Sequence, residues 1–306
     1  MKLAPIVLFV YNRPWHTQKT VEALQENALA SESELFVYSD APKHSGAQEN
    51  VDQVREYIKQ INGFKKVTII ERDHNWGLAN SIINGVTDII NKYEKIIVLE
   101  DDLVTSPYFL KFMNEALTFY KENKNVLSVT GFSFSSKFMQ FSNDFAEDIY
   151  VHIRPMSWGW GTWKDEWKDI DWEIKDFQSF ISSATKIKAF NRGGTDLSVM
   201  LEDQMKGKLD SWYIRWCYHA YKTSKYTIYP KISFVNNIGH DSSGIHCIEE
   251  SDPIYSHTEL SDNSCIRYNT NIKLDENIIR RFNKAFDTPL KNKLKKYLKK
   301  ILLMEK

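Results

Sequence analysis

The amino-acid sequence predicts an α/β fold built on a doubly wound, mostly parallel sheet. Over roughly the first hundred residues, short aliphatic runs alternate with segments of helical spacing in the order β-α-β-α-β-α-β. The fourth run, residues 96–99, is wholly aliphatic, which is typical of a strand buried on both faces. A polar residue follows each strand, at the edge where open sheets of this kind bind ligands.

The elements follow one another with short connections. Strands are predicted over residues 4–11, 35–39, 67–71, 96–99, 126–131 and 226–230, and helices over residues 17–29, 48–61, 79–93, 107–122 and 212–223. Ser106 and Pro107 have the residue types preferred at a helix N-cap and first position. The helix 107–122 is therefore expected to have its own start signal.

Three adjacent carboxylates, Glu100, Asp101 and Asp102, follow the strand 96–99. They are not needed as helix caps, and neighbouring acids at the end of a buried strand repel one another and lose hydration. A cation is therefore expected beside them. Oxygen ligands suit Mg²⁺ or Mn²⁺, which proteins hold with one or two carboxylates plus substrate phosphates. The alternative is a solvated acidic turn.

The residues that follow the other strands are Arg13, Asp40, and Asp73 or His74, and all are expected along one edge of the sheet. The sequence has no glycine-rich dinucleotide fingerprint, no P-loop motif and no nucleophile elbow. It therefore predicts a sheet that binds phosphates through a metal and Arg13, without a glycine cradle.

The second half of the chain is rich in tryptophan. Trp158 and Trp160 alternate with glycines, which leaves flat aromatic faces open for stacking on sugar rings, although large aromatic residues more often lie in a core. Residues 201–212 bring a second set of acids and end at Trp212. The loop 238–246, which ends at His246, is rich in Gly, Ser and His and can either close on a phosphate or form a simple turn.

Composition limits the possible partners. Forty basic and forty acidic residues cancel, so no net field favours nucleic acid. No apolar run approaches the length of a membrane span, and three cysteines without metal-type spacing suit a reducing compartment. Residues 290–306 combine a stripe of leucines with many lysines, which predicts a basic amphipathic helix on an anionic membrane or, alternatively, a solvated helix packed on its own domain.

Taken together, these motifs resemble the GT-A glycosyltransferases, including N-acetylglucosaminyltransferase I and bacterial enzymes of surface-polysaccharide synthesis. The resemblance is carried by Asn-Arg-Pro at 12–14, Asp40, His-Asn-Trp-Gly-Leu at 74–78, Val-Leu-Glu-Asp-Asp-Leu at 98–103, Ser-Pro-Tyr-Phe at 106–109, Tyr-Pro-Lys-Ile-Ser at 229–233 and Gly239. It covers residues 4–132 well and the chain to about residue 250 in patches. It implies a nucleotide-sugar-binding half (1–132), an acceptor-binding half (133–288) and a basic C-terminal helix (289–306).

For the donor side, the resemblance implies that Asp102 holds Mn²⁺ or Mg²⁺ on the diphosphate of a UDP-sugar. Asp101 and Glu100 would reach hydroxyl groups of the ribose and the donor sugar. Arg13 and Asp40 would contact the nucleotide, with Asp40 accepting a hydrogen bond from a uracil ring nitrogen. The remaining contacts expected with the nucleotide sugar are Asp73, His74 and His246.

For the acceptor side, the resemblance implies an aspartate that deprotonates the attacking hydroxyl in an inverting displacement. Asp210, beside Trp212, matches it best, and Asp203 is the fallback. Trp158, Trp160 and Trp212 are the expected acceptor contacts. The acceptor would be a glycan, either free or lipid-linked, at the cytoplasmic face of the cell membrane.

Two other interpretations remain open. A sugar nucleotidylyltransferase uses the same metal-diphosphate chemistry but needs a glycine-rich N-terminal signature, which this chain lacks. A non-catalytic carbohydrate-binding protein would use the tryptophans alone, and the acids at the strand end argue against it.

Overall fold

The computed structural model describes residues 2–142, 145–241 and 259–286. The strands are β1 Ile6–Val10, β2 Glu34–Ser39, β3 Lys66–Glu71, β4 Lys95–Glu100, β5 Leu103–Thr105, β6 Val126–Thr130, β7 Ile149–His152, β8 Trp160–Trp163, β9 Tyr226–Pro230 and β10 Val235–Asn237. The helices are α1 Pro14–Gln25, α2 Gln48–Ile58, α3 Leu78–Tyr93, α4 Phe109–Phe119, α5 Ser136–Met139, α6 Lys164–Trp167, α7 Phe177–Ile181, α8 Ala184–Phe190, α9 Leu197–Met205, α10 Trp212–Thr223 and α11 Glu276–Asn283.

Eight strands form one sheet in the order β3-β2-β1-β4-β8-β6-β9-β7. The first four in that order are parallel, β9 is parallel to β6, and β7 and β8 run antiparallel to their neighbours. A separate two-stranded ladder pairs β5 with β10. The predicted α/β class with a mostly parallel sheet is confirmed. The sheet draws strands from residues on both sides of position 132, and the proposed division into two halves stays a prediction.

The central strand β4 separates two cores. Ile97 and Leu99 pack in the core that contains α1 and α4, whereas Ile96 and Val98 pack in the core that contains α3 and a tryptophan cluster. Residues 96–99 of β4 are thus buried on both faces of the sheet, as the aliphatic run predicted. Because side chains alternate along a strand, the residues that follow Leu99 are directed to opposite sides of the sheet.

Two predicted helix starts are wrong by two or more residues. α1 begins at Pro14, directly after the turn, because proline is compatible with the first helical position. α4 begins only at Phe109, and Ser106 is not its cap. Residues 103–105 form β5 instead, and the Ser106 amide donates to the Phe234 carbonyl at 2.9 Å next to the β5-β10 ladder. Ser106 is therefore bonded to the segment that includes β10 and does not cap α4.

Two of the sequence predictions lie outside the described residues, namely His246 and the tail 289–306. Within the described ranges, no helix has the length and apolar character needed to cross a membrane.

Candidate active site

A cleft of about 670 Å³ opens at the carboxyl ends of β1, β2 and β4. Small-molecule sites are typically a few hundred to a thousand Å³, so this volume suits a substrate of nucleotide size. The rest of the lining comes mainly from the start of α3, from residues 208–213 and from residues 237–240. The lining includes Tyr11, Arg13, Asp40, Lys43, Asn75, Gly77, Glu100, Asp101, Asp102, Trp158, Lys208, Asp210, Trp212, Tyr213, Gly239 and His240.

Arg13 lies at the centre of the acidic side of this cleft. It is the N-cap residue of α1, and its Nη2 donates to both Asp101 Oδ1 and Asp102 Oδ2, the latter at 2.9 Å. Burial alone would lower the pKa of Arg13, but the two carboxylates outweigh it and raise that pKa. Burial raises the pKa of Asp101, and Arg13 opposes the rise. Arg13 therefore supplies the compensating charge that the acidic triplet was expected to need.

The main chain fixes the two aspartates. The Asp101 carbonyl accepts from Thr20 Oγ1 at 2.9 Å, and the Asp102 carbonyl accepts from the Ile238 amide at 2.9 Å. One aspartate is thus bound to α1 and the other to the chain that follows β10. The carboxylates are held where the two elements meet.

Glu100 differs from its neighbours. It lies opposite Phe9 in the β1-β4 register, and no described residue offers its side chain a hydrogen bond or an ion pair. Burial, together with the nearby Asp102 and Asp101, raises the pKa of Glu100 to about 8, with Arg13 opposing. The side chain is therefore mostly a neutral acid at neutral pH and can donate a hydrogen bond to a ligand.

A divalent cation in this cleft would need oxygen ligands from both the protein and a bound ligand. No group of three or more His, Cys, Asp or Glu side chains in the described part of the chain could hold a metal ion. Asp102 nevertheless lines the cleft, and Mg²⁺ and Mn²⁺ are commonly held by one or two carboxylates plus substrate phosphates. These residues therefore fit a cation that arrives with a diphosphate.

Asp40 lines the cleft, but its carboxylate is already satisfied. Oδ1 accepts from the amides of Ala41 and Trp76, both at 2.9 Å. Oδ2 accepts from the Gly77 amide at 3.0 Å and from Asn75 Nδ2 at 3.2 Å. A carboxylate has about four acceptor positions, so the expected bond from a uracil nitrogen would have to displace one of these partners. We assign Asp40 instead to holding the turn before α3.

Asp73 and His74 lie away from the cleft. Both side chains are largely exposed and pair with each other, with 2.7 Å between His74 Nδ1 and Asp73 Oδ1. Asn75 and Gly77 line the cleft in their place, because the turn held by Asp40 points the next residues inward. The prediction of a nucleotide contact from Asp73 or His74 needs this correction.

Asp210 lies in the cleft, and Asp203 does not line it. The Asp210 carboxylate is 65% exposed, with Arg215 Nη2 3.6 Å away from Oδ1. Arg215 is fixed in turn by the carbonyls of Ser211 and Trp172 at 3.0 and 3.2 Å. The structure thus brings Asp210 to the same cavity as the acidic triplet.

The three predicted tryptophans have different surroundings. Trp158 is half-buried and lines the cleft, and Trp212 lines it with only a small exposed fraction. Trp160 is 0% exposed, with ring centroids 4.5 Å from Trp216 and 5.2 Å from Trp212. No face of Trp160 is open to a saccharide, so this residue belongs to the core and its predicted sugar contact is corrected.

Sequence reasoning missed several lining residues. Tyr11, Lys43, Lys208 and His240 all reach the cleft. Tyr11 and Lys43 follow strand ends, and that position was the available signal. Gly239 was noticed only through the resemblance: a Cβ there would overlap Asp102 Oδ2 and lie 3.0 Å from Arg13 Nη1. A residue with a side chain would disturb that ion pair.

No protein-family model matches the sequence, and no curated protein matches it. Similar solved structures include the mannosyltransferase PcManGT from Pyrobaculum calidifontis in complex with GDP-Man and Mn²⁺, with 11% identity and a TM-score of 0.37 over 54% of this chain and 46% of that one. S. aureus TarS 1-349 has 10% identity and a TM-score of 0.38 over 76% of this chain and 59% of that one. The chain thus spans about half the length of these structures. Likenesses this distant do not decide an activity, which has to be inferred from the residues of the cleft.

Proposed function

We propose that this chain is a GT-A type glycosyltransferase that moves a sugar from a UDP-sugar to a hydroxyl group of a glycan acceptor. One observation carries the proposal: a single cleft contains both Arg13 with Asp101 and Asp102 and the exposed carboxylate of Asp210. Glycosyl transfer needs both a stabilised diphosphate leaving group and a base for the attacking hydroxyl.

Arg13 and Lys43 are the cations placed to meet the diphosphate. Guanidinium matches phosphate oxygens with two parallel hydrogen bonds, which makes Arg13 suited to that group. Mn²⁺ or Mg²⁺ would be held by Asp102 and the donor phosphates, and it would offset the charge that develops on the leaving diphosphate.

Glu100 is placed to recognise the donor sugar. A neutral carboxylic acid donates one hydrogen bond and accepts others, so it can bind a sugar hydroxyl without adding a second full negative charge beside Asp101 and Asp102. Asp101 is nearly buried and bound to Arg13, so its main role is to position that arginine. Contact of Asp101 with a ribose hydroxyl stays a prediction.

Asp210 is the proposed base of an inverting single displacement. Its exposed carboxylate lines the same cleft as the acidic triplet and can accept the proton of the attacking hydroxyl. Trp158 and Trp212 are the proposed contacts of the acceptor. Arg215 keeps the Asp210 side chain oriented through the 3.6 Å ion pair.

The finer assignments belong to the same proposal. UDP as the nucleotide rests on the resemblance alone, as does the likeness to N-acetylglucosaminyltransferase I, because the Asp40 carboxylate is fully used by its own turn. A hexosyl or N-acetylhexosaminyl donor, a lipid-linked acceptor of bacterial surface-polysaccharide synthesis, and attachment to the membrane through residues 289–306 are likewise proposed. The exposed Asp210 carboxylate favours glycosyl transfer over nucleotidyl transfer or simple carbohydrate binding.

Hydrolysis of a panel of UDP- and GDP-sugars with Mn²⁺ tests the proposal, since transferases slowly pass the sugar to water when the acceptor is absent. We expect release of UDP from one or a few UDP-sugars, abolished by EDTA and by Asp102→Asn. The matched control Asp73→Asn changes an exposed aspartate outside the cleft and should hydrolyse at the wild-type rate. Absence of hydrolysis and of binding for every nucleotide-sugar would refute the proposal.

A further inference from the structure

Arg13 occupies the carboxylate that a divalent cation would need. Its Nη2 lies 2.9 Å from Asp102 Oδ2 and also bonds Asp101, and only 16% of the Arg13 side chain is exposed. Two cations cannot both be held closely by one carboxylate oxygen without strong repulsion. A metal ion that binds at Asp102 therefore lies close to the guanidinium and is repelled by it unless Arg13 moves.

We propose that Arg13 is a latch that couples binding of the metal to binding of the diphosphate. In the free protein it holds Asp102, and when a nucleotide diphosphate enters, the guanidinium turns to the phosphate oxygens and leaves Asp102 to the metal. The inference rests on the proposed function, because it needs a diphosphate and a divalent cation in this cleft.

The chain is built so that the Arg13 side chain can move while its backbone stays. The Arg13 carbonyl accepts the Thr17 amide at 2.9 Å as the first hydrogen bond of α1, and Pro14 fixes the next residue. The two aspartates are held through their main-chain carbonyls by Thr20 and Ile238. Release of Asp102 therefore requires only a rotation of the Arg13 side chain.

Gly239 keeps the ion pair compact. Its Cα faces both Asp102 Oδ2 and Arg13 Nη1 so closely that a Cβ would overlap the carboxylate. The backbone at Gly239 thus packs directly against the pair, which still lines the cleft. A cation alone has to displace Arg13 without giving it another partner, whereas a diphosphate supplies one.

Coupling of this kind is reciprocal and measurable. If the diphosphate relieves the competition, it tightens Mn²⁺ binding by the same factor by which Mn²⁺ tightens diphosphate binding. Couplings between sites in proteins typically amount to about 5- to 150-fold. Removal of the guanidinium should therefore tighten binding of Mn²⁺ alone and reduce the coupling factor.

The test measures Mn²⁺ affinity by electron paramagnetic resonance of free Mn²⁺, without nucleotide and with UDP or GDP at saturation. Arg13→Met is expected to bind Mn²⁺ alone about fivefold or more tightly than wild type, with a coupling factor reduced by a similar amount. The control Lys19→Met removes one exposed positive charge from the same helix, where Lys19 pairs only with Glu22, and should match wild type.

A second variant and a nucleotide measurement keep the test decisive. Arg13→Lys retains the charge but loses the fork that reaches both carboxylates, and it should move Mn²⁺ affinity in the same direction by a smaller factor. If UDP binds and is released from UDP-sugars while both Arg13 variants show wild-type Mn²⁺ affinity and coupling, the latch is refuted and the proposed function stands. If wild type binds no Mn²⁺ even with UDP and GDP, both are refuted.

Discussion

Asp40→Ala is the substitution that best tests whether Asp40 holds the turn before α3 or recognises a base. The change removes all four acceptors that the carboxylate provides, two to Ala41 and Trp76 and two to Asn75 and Gly77. If Asp40 is a positioning residue, the free protein loses stability. If it serves only to bind a nucleotide, the free protein is unaffected.

The magnitude follows from those contacts. A hydrogen bond to a charged group contributes about 1.5–3 kcal/mol, so four independent bonds would contribute far more than a typical substitution costs. The sum is reduced because the Asn75 side chain and the Gly77 amide lie at the cleft, where water can replace the lost acceptor. We expect a loss of about 2–4 kcal/mol in the free energy of unfolding, comparable with the loss of a strong helix cap plus one buried bond.

Thermal unfolding followed by circular dichroism measures this loss without any ligand. For a chain of this size the expected fall in Tm is on the order of 3–6 °C. Asp73→Ala is the matched control, because among the described side chains its exposed carboxylate forms an ion pair with the neighbouring His74 alone, and its Tm should stay within about 1 °C of wild type. Equal Tm values for Asp40→Ala and wild type would refute the positioning role and restore the base-recognition interpretation.

Four further outcomes are expected. Asp102→Ala should abolish Mn²⁺-dependent binding of UDP in calorimetry without lowering Tm, and unchanged affinity with and without EDTA would contradict the metal assignment. Asp210→Asn should lower the rate of transfer by roughly 10²-fold while donor binding persists. If Asp210→Asn transfers at the wild-type rate and Asp203→Asn is inactive, Asp203 is the base instead. The pKa of Glu100 is raised from its ordinary value of 4.5 to about 8. Between these two pH values the native state holds more protons than the unfolded chain, so the free energy of unfolding falls as pH rises through that window. Glu100→Gln should remove this fall, and parallel Tm–pH curves for the variant and the wild type would contradict the prediction. Deletion of residues 289–306 should release the protein from anionic vesicles at low salt in a sedimentation assay and leave activity on a short soluble acceptor unchanged. Equal sedimentation of the full-length and the truncated protein with the vesicles would contradict the membrane role.

The parts of the fold that follow a local rule could be predicted from the sequence. The first four strands and α2 and α3 were located to within a few residues, because their apolar periodicity is strong and each ends at a clear turn. α4 was misplaced because its start depends on β10, which lies more than a hundred residues later in the chain. A pairing over that distance leaves no local signal, so Ser106 looked like a cap.

The candidate site shows the same division between local and long-range information. Position after a strand correctly brought Arg13, Asp40 and the acidic triplet to one edge. It could not show that the Asp40 carboxylate accepts four hydrogen bonds, from Ala41 and from residues 75–77, because three of these donors are distant in sequence. Trp160 was misassigned because alternating glycine and tryptophan fits both an open aromatic platform and a strand, and only β8 packing at the centre of the sheet distinguishes them.

The three consecutive carboxylates illustrate how one strand end serves different functions. Glu100 follows Val98 on the side of the sheet where α3 and Trp212 pack. Asp101 follows Leu99 to the side of α1, where Arg13 and Thr20 bind it. Asp102 is already past the strand and is held by the chain after β10. Because side chains alternate along a strand, the three groups have different surroundings, and one can be a neutral hydrogen-bond donor while its neighbours hold a cation. Substitutions at the three positions should therefore affect different measurements. We expect a change in the Tm–pH curve for Glu100, in the placement of Arg13 for Asp101, and in Mn²⁺ affinity for Asp102.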